Sequence, residues 1–118
     1  MALLDQLVEI SNYYGSNPDF VLAGGGNTSM KDGGILYIKP SGTTLAAIRK
    51  EDFIAMDRAL IRKTLSKKYS VNPFKREDEI KIDLLNARID YRPGNIGPRA
   101  SVETALHELI EYTFVVHT

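Results

Sequence analysis

The chain has 118 residues, 15 basic against 15 acidic, with 43% hydrophobic and 25% charged residues, the composition of one globular domain able to bury a core. Zero formal net charge provides no general field for nucleic acid or an anionic membrane, so recognition of an anion must come from local geometry. With no cysteine, disulfides, thiolate nucleophiles and thiolate metal ligands are all excluded. The start, Met1 to Asp5, lacks the basic region and long apolar core of a signal peptide, and no stretch reaches membrane-span length. A single domain over 1–118 in a cytoplasmic protein, with neither membrane nor nucleic acid as partner, is the expectation.

Leu3, Leu4, Leu7, Val8 and Ile10 fall on one helical face, and Gly15-Ser16-Asn17-Pro18 ends that helix. Phe20 to Ala23 reads as an extended lead into Gly24-Gly25-Gly26. Thr28 to Lys31 and Ile35 to Lys39 read as two strands joined by a hairpin turn at Asp32-Gly33-Gly34. Thr43 to Ile48 reads as a short helix or turn with a hydroxyl cap, and Phe53 to Asp57 as a further strand. From Arg58 onward, Leu60, Ile61 and Leu65, then Ile80, Ile82, Leu84, Leu85 and Ile89, suit two helices split at Val71-Asn72-Pro73. The basic side chains Arg62, Lys63, Lys67 and Lys68 on the first make a solvated face rather than a nucleic-acid surface. Arg92 to Arg99 holds too many breakers to be anything but a loop. Ser101 then suits an N-cap with Glu103 in the first turn, the helix running to about Glu111. Thr113 to His117 reads as a strand, and the chain stops within it, which predicts a piece of a longer domain.

Two loops rich in Gly and hydroxyl residues flank the Ile35–Ile38 run: Gly24 to Ser29, and Lys39-Pro40-Ser41-Gly42-Thr43-Thr44. Glycine lets backbone N–H groups approach an anion closely, and Asn and Ser add donors, so the pair suits a cradle for a small phosphorylated molecule. Ordinary turns are the competing reading. Neither a dinucleotide fingerprint nor a nucleoside-triphosphate loop occurs. Glu103 and His107 lie four apart on one helix side, with His117 following on a strand. A general base with metal ligands is one reading. The other is a carboxylate at a helix start and a core or surface histidine, and on spacing alone this second reading comes first. The six tyrosines form no stripe for base stacking.

Gly25-Gly26-Asn27-Thr28-Ser29, Lys39-Pro40-Ser41-Gly42, Ser101-Val102-Glu103 with His107, and Val115-Val116-His117-Thr118 together resemble the class II aldolase/adducin family, in order and over nearly the whole chain. The Arg58–Arg92 segment is similar to the aldolase half of two-part proteins that carry a rhamnulose-phosphate aldolase ahead of a short-chain dehydrogenase. The resemblance implies an α/β/α sandwich around a mainly antiparallel sheet, here truncated at its C-terminal side, with the parent a homotetramer. It implies substrate phosphate held by Gly26, Asn27, Ser41, Gly42 and Ser101, an acid/base role for Glu103, and His117 as the first zinc ligand of a His-x-His pair whose second member falls past Thr118. Val102 departs from a second serine seen in some members.

The implied activity is zinc-dependent retro-aldol cleavage of a ketose 1-phosphate, rhamnulose- or fuculose-phosphate-like, to dihydroxyacetone phosphate and an aldehyde. Zinc stabilises the developing enediolate as a Lewis acid, Glu103 shuttles the proton, and the cradle fixes orientation. A pentulose-phosphate epimerase built on the same site is a further member of this class. With His117 as its one family ligand, the chain by itself is expected to bind zinc poorly and not to turn over. The alternatives are a non-catalytic assembly module of the adducin kind and a phosphometabolite sensor.

Overall fold

The computed structural model describes residues 2–21, 25–89, 99–101 and 103–118. Helix α1 (Ala2–Gly15) is followed by strands β1 (Asn27–Asp32), β2 (Ile35–Ile38) and β3 (Ile54–Asp57), helices α2 (Arg58–Ser66), α3 (Pro73–Asn86) and α4 (Thr104–Leu109), and strand β4 (Phe114–His117). The four strands form one antiparallel sheet in the order β3-β2-β1-β4. Helix α1 covers one face and α2, α3 and α4 the other, so the expected α/β/α layering is present.

Strand alternation divides the side chains between the layers. Met30 packs with Leu7 of α1, Ile48 and Phe53, supported by Leu3, Leu4, Val8, Tyr37 and Phe114. On the opposite face Leu36, Ile38, Ile54 and Met56 meet Ile61 of α2, Leu84 of α3 and Ala87. The register pairs Ser29 with Ile38 and Lys31 with Leu36, and Asn27 with His117 and Ser29 with Val115. Asn27, Ser29 and Lys31 therefore form a polar row on the α4 side of an otherwise apolar sheet, and all three are buried.

Local signals explain the helix starts. Asp57 Oδ1 accepts from the N–H groups of Ala59 and Leu60 at 2.9 and 3.2 Å, capping α2. Asn72 does the same for Phe74 and Lys75 at 3.0 and 3.2 Å, with Pro73 in the first turn of α3, where its missing N–H costs nothing. Thr43 to Ile48 takes the turn form of its two expected alternatives, with a 3-10 turn at Lys50–Asp52, and three other expectations need correction. Asn12 Nδ2 donates to the carbonyls of Leu45 and Ile48 at 2.9 and 3.3 Å, so a side chain of α1 takes acceptors that a helix would have used. Ile89 lies beyond α3, its N–H donating to the Ala55 carbonyl at 3.0 Å along the edge of β3. Helix α4 ends at Leu109, short of Glu111. Phe20 lies in a turn, Asn17 accepting from its N–H at 3.0 Å. Residues 22–23 of the expected extended lead lie outside the described residues, as does the predicted loop except Arg99. No helix among the described residues is long and apolar enough to cross a membrane.

Candidate functional site

Helix α4 and the end of β4 bring the three singled-out ionisable residues together. One potential ligand atom from each of Glu103, His107 and His117 lies within 4.8 Å of the other two. The His107 and His117 ring centres are 6.2 Å apart. His117 Nδ1 donates to Glu103 Oε2 at 3.1 Å. A carboxylate oxygen accepts, so this contact turns His117 Nδ1 toward Glu103 and Nε2 away from it.

His107 is fully buried. Its Nδ1 is 2.6 Å from Ser29 Oγ on β1, while Nε2 is buried without a hydrogen-bond partner. Burial pushes its pKa down to about 4, the charge of Glu103 opposing the shift, so the ring is neutral at pH 7. A neutral imidazole with one nitrogen anchored and the other unmet is the form that ligates metals. Sequence spacing favoured a structural role for His107, and its partner Ser29 lies 78 positions away in the chain.

Gly26 and Asn27 lie at the β4 end of β1. Gly26 has φ +80°, and a Cβ there would stand 2.9 Å from Leu45 Cδ1 and 3.2 Å from the His117 carbonyl oxygen. Both the left-handed backbone and the close approach require glycine. Asn27 sits beside His117 in the ladder, and its Oδ1 is the other buried side-chain atom among the described residues with no partner. Gly42 also has a left-handed φ, +87°. The backbone of the second loop meets the α4 approach: Ser41 N–H donates to the Arg99 carbonyl at 2.8 Å, and Pro40 bridges Ala100. Ser41 and Ser101 line one groove of about 530 Å³ against Leu84 and Leu85 of α3, and Gly26 and Asn27 do not line it. Four of the five expected phosphate residues thus form two groups, Gly26–Asn27 at His117 and Ser41–Ser101 at the groove, with Gly42 next to Ser41 in the chain.

Ser101 caps differently from expectation. Its Oγ accepts from the Glu103 N–H at 3.1 Å, turning the chain before α4, whose own N-cap is Glu103 with no side-chain cap bond. The six-residue α4 adds little dipole support for an anion. Lys39 is a further site neighbour that sequence reading did not assign. It is 4% exposed, and its Nζ donates to the Thr43 carbonyl at 2.6 Å, fixing the second loop. Burial lowers its pKa and the nearby charge of Glu103 opposes that.

The family model described as the class II aldolase and adducin N-terminal domain matches residues 5–118. The chain belongs to that family. It is 31% identical over 125 residues to the Bacillus subtilis protein named uncharacterized oxidoreductase YuxG, covering 98% of this chain but 17% of that protein. It is also similar in structure to the N-terminal class II aldolase domain of a conserved protein from Thermoplasma acidophilum, with a TM-score of 0.75 and 28% identity, covering 96% of this chain and 53% of that one. The chain therefore spans about half the solved class II aldolase domain and a small part of the curated relative. In that family the sandwich built on β1–β4 is the expected frame, and the motif order along the chain agrees with it.

Proposed function

We propose that this chain is the substrate- and metal-binding part of a metal-dependent aldolase that cleaves a ketose 1-phosphate, rhamnulose- or fuculose-phosphate-like, into dihydroxyacetone phosphate and an aldehyde. The observation that carries this reading is the approach of Glu103, His107 and His117 ligand atoms to within 4.8 Å, beside Asn27, in a chain of the class II aldolase/adducin family. The donor set is two imidazoles and a carboxylate, and the unmet His107 Nε2 gives it a buried nitrogen with no protein partner. This suits zinc, which takes nitrogen and oxygen ligands and keeps a position open in catalytic sites. When bound, zinc supplies Lewis-acid polarisation of substrate oxygens.

The chain's own groups do the rest. The carboxylate of Glu103 takes and returns the proton at the carbon next to the substrate carbonyl. Gly26 and Gly42, free of side chains, let backbone N–H groups face the phosphate, and Ser41 and Ser101 add hydroxyl donors. The Asn27 amide nitrogen donates to the phosphate, while its unmet Oδ1 accepts from a ligand hydroxyl. Lys39 holds the second loop in place and adds positive potential near Glu103. Binding the phosphate remote from the breaking C–C bond fixes the reacting atoms in orientation. The Bacillus relative is far longer and carries an oxidoreductase name, which supports a two-part parent with the aldolase domain ahead of a dehydrogenase. A zinc-dependent homotetramer in the cytoplasm is the assembly this reading carries with it.

A thermal-shift series with dihydroxyacetone phosphate, with and without zinc, tests the reading. Stabilisation by the phosphate that grows when zinc is present supports the aldolase. Stabilisation indifferent to zinc supports a phosphometabolite-binding protein instead. No stabilisation by either ligand overturns the aldolase reading and favours an assembly module.

A further inference from the structure

A cavity of about 360 Å³ opens at the end of the β1 polar row away from His117, lined by Lys31, Arg58, Arg62, Glu111, Tyr112 and Thr113. Lys31 stands four residues along β1 from Asn27, about 13 Å at the rise of a strand, so this cavity is separate from the Glu103, His107 and His117 cluster. We infer that it is a second ligand site, for a small dicarboxylate whose charged ends are taken by the outer edge of the Arg62 guanidinium and by Lys31. The inference does not depend on the aldolase reading.

The fold uses the three cations of the lining unequally. Arg58 is fixed at three points, Nε and Nη2 donating to the two oxygens of Glu108 at 2.8 and 3.1 Å and Nη1 to the Gly33 carbonyl at 2.9 Å. Arg62 is held at one. Its Nε donates to Glu108 Oε2 at 2.7 Å, the side chain is half-exposed, and among the described residues no hydrogen bond reaches its two amino nitrogens. With Nε pinned, the edge formed by Nη1 and Nη2 presents two parallel N–H bonds, the spacing that matches the two oxygens of a carboxylate.

Lys31 supplies the second anchor from the sheet side. It is buried, and its Nζ donates to the Tyr112 carbonyl at 2.9 Å, which uses one of the ammonium donors. Burial lowers its pKa, Glu108 opposes the shift, and the charges of Arg58 and Arg62 lower it further. One buried carboxylate thus leaves the cations still repelling one another, and a ligand carboxylate between them is attracted by all three. Glu111 is the opposing charge on the lining, and it is exposed, where water and salt screen it.

Size separates the candidate oxyanions. The cavity falls in the range of small-molecule sites, and a phosphate ion would fill a small part of it and meet one anchor. A chain of a few carbons with a carboxylate at each end meets both, its apolar middle lying beside Tyr112, whose side chain is otherwise given to solvent.

Calorimetric titration of the 118-residue chain with succinate, joined to ¹H–¹⁵N spectra, tests this. The expected result is one succinate per chain, with acetate and inorganic phosphate binding at least about 10-fold more weakly. The backbone signals of Lys31 and Thr113 and the Nε signal of Arg62 should move, while those of Asn27 and Gly42 stay in place. Arg62→Gln should weaken succinate about 10-fold or more, since a charge-assisted pair is lost. Arg62→Lys keeps the charge without the fork and should weaken it nearly as much. Arg58 still meets both Glu108 oxygens in either variant, and circular dichroism checks the fold. Should a variant unfold, the wild-type spectra and the acetate and phosphate titrations decide. The assignment is overturned by absence of succinate binding, by wild-type affinity in either Arg62 variant, or by signals that move at Asn27 and Gly42 instead. Phosphate or acetate binding as tightly as succinate overturns it too, because one charged end would then suffice.

Discussion

Two neighbouring residues of α4, His107 and Glu108, are both fully buried and face opposite ends of the polar row on β1, yet their surroundings differ. Glu108 is saturated. Arg58 donates to both of its oxygens, at 2.8 and 3.1 Å, Arg62 Nε adds a bond at 2.7 Å, and Lys31, tied to the Tyr112 carbonyl at 2.9 Å, contributes its charge nearby. The bond to Glu108 raises the Arg58 pKa against the pull of burial. At the other end, His107 Nε2 and Asn27 Oδ1 are the two buried side-chain atoms without partners among the described residues. Protein groups complete the closed end of the row, while the open end keeps two buried polar atoms that a ligand would meet under the proposed reading.

Breaking the closed end should produce the largest effect. Glu108→Ala leaves two guanidinium groups facing each other and is expected to cost about 2–3 kcal/mol. That lies under the 3–5 kcal/mol of a wholly buried pair because Arg62 is half exposed. Chemical denaturation reads this, and zinc affinity of the folded fraction should stay within about twofold of wild type if the ends are independent. A large loss of zinc affinity would show that they are not.

Next in size is Gly26→Ala. A left-handed backbone costs an alanine about 1–2 kcal/mol, and the new Cβ presses on Leu45 and the His117 carbonyl. Stability should fall by about that amount, and dihydroxyacetone phosphate should lose its stabilising effect, as thermal shift would record.

A control lies away from both ends, where Tyr69 Oη donates to Asp83 Oδ2 at 2.7 Å between α2 and α3. Tyr69→Phe should cost about 1 kcal/mol and leave phosphate and zinc binding unchanged. Burial first, and then the bond to Asp83, push the Tyr69 pKa up to about 12, above the ordinary value near 10. Its contribution is thus fully present below pH 10 and lost as pH rises toward 12. Absorbance of tyrosinate followed through a pH titration should place one tyrosine late, and Tyr69→Phe should remove that step.

The smallest effect on stability is expected from Asn27→Ala. Removing an unmet acceptor should change stability by under about 1 kcal/mol while abolishing stabilisation by dihydroxyacetone phosphate. A large destabilisation with ligand binding intact would place Asn27 with the closed end instead.

The helices, the hairpin and the family were legible wherever the signal is local. Asp32-Gly33-Gly34 marks the hairpin, and Asn72-Pro73 marks the start of α3 because cap and proline act within one turn. Glu103 and His117 were singled out through motif order, and the fold brings them together. What sequence spacing left hidden depends on distant partners. His107 meets Ser29, and Glu108 meets Arg58 and Arg62, none of them near in the chain.

The strand β1 is also gripped through its side chains from both layers. Thr28 Oγ1 and Ser11 Oγ of α1 are 2.7 Å apart, while the next residue, Ser29, bonds to α4. Sliding this strand by one position would turn each hydroxyl into the opposite, largely oily layer and break both links at once. The pair of alternating hydroxyls therefore acts as an index pin, locking the pleat so that Asn27 and His117 arrive level with one another.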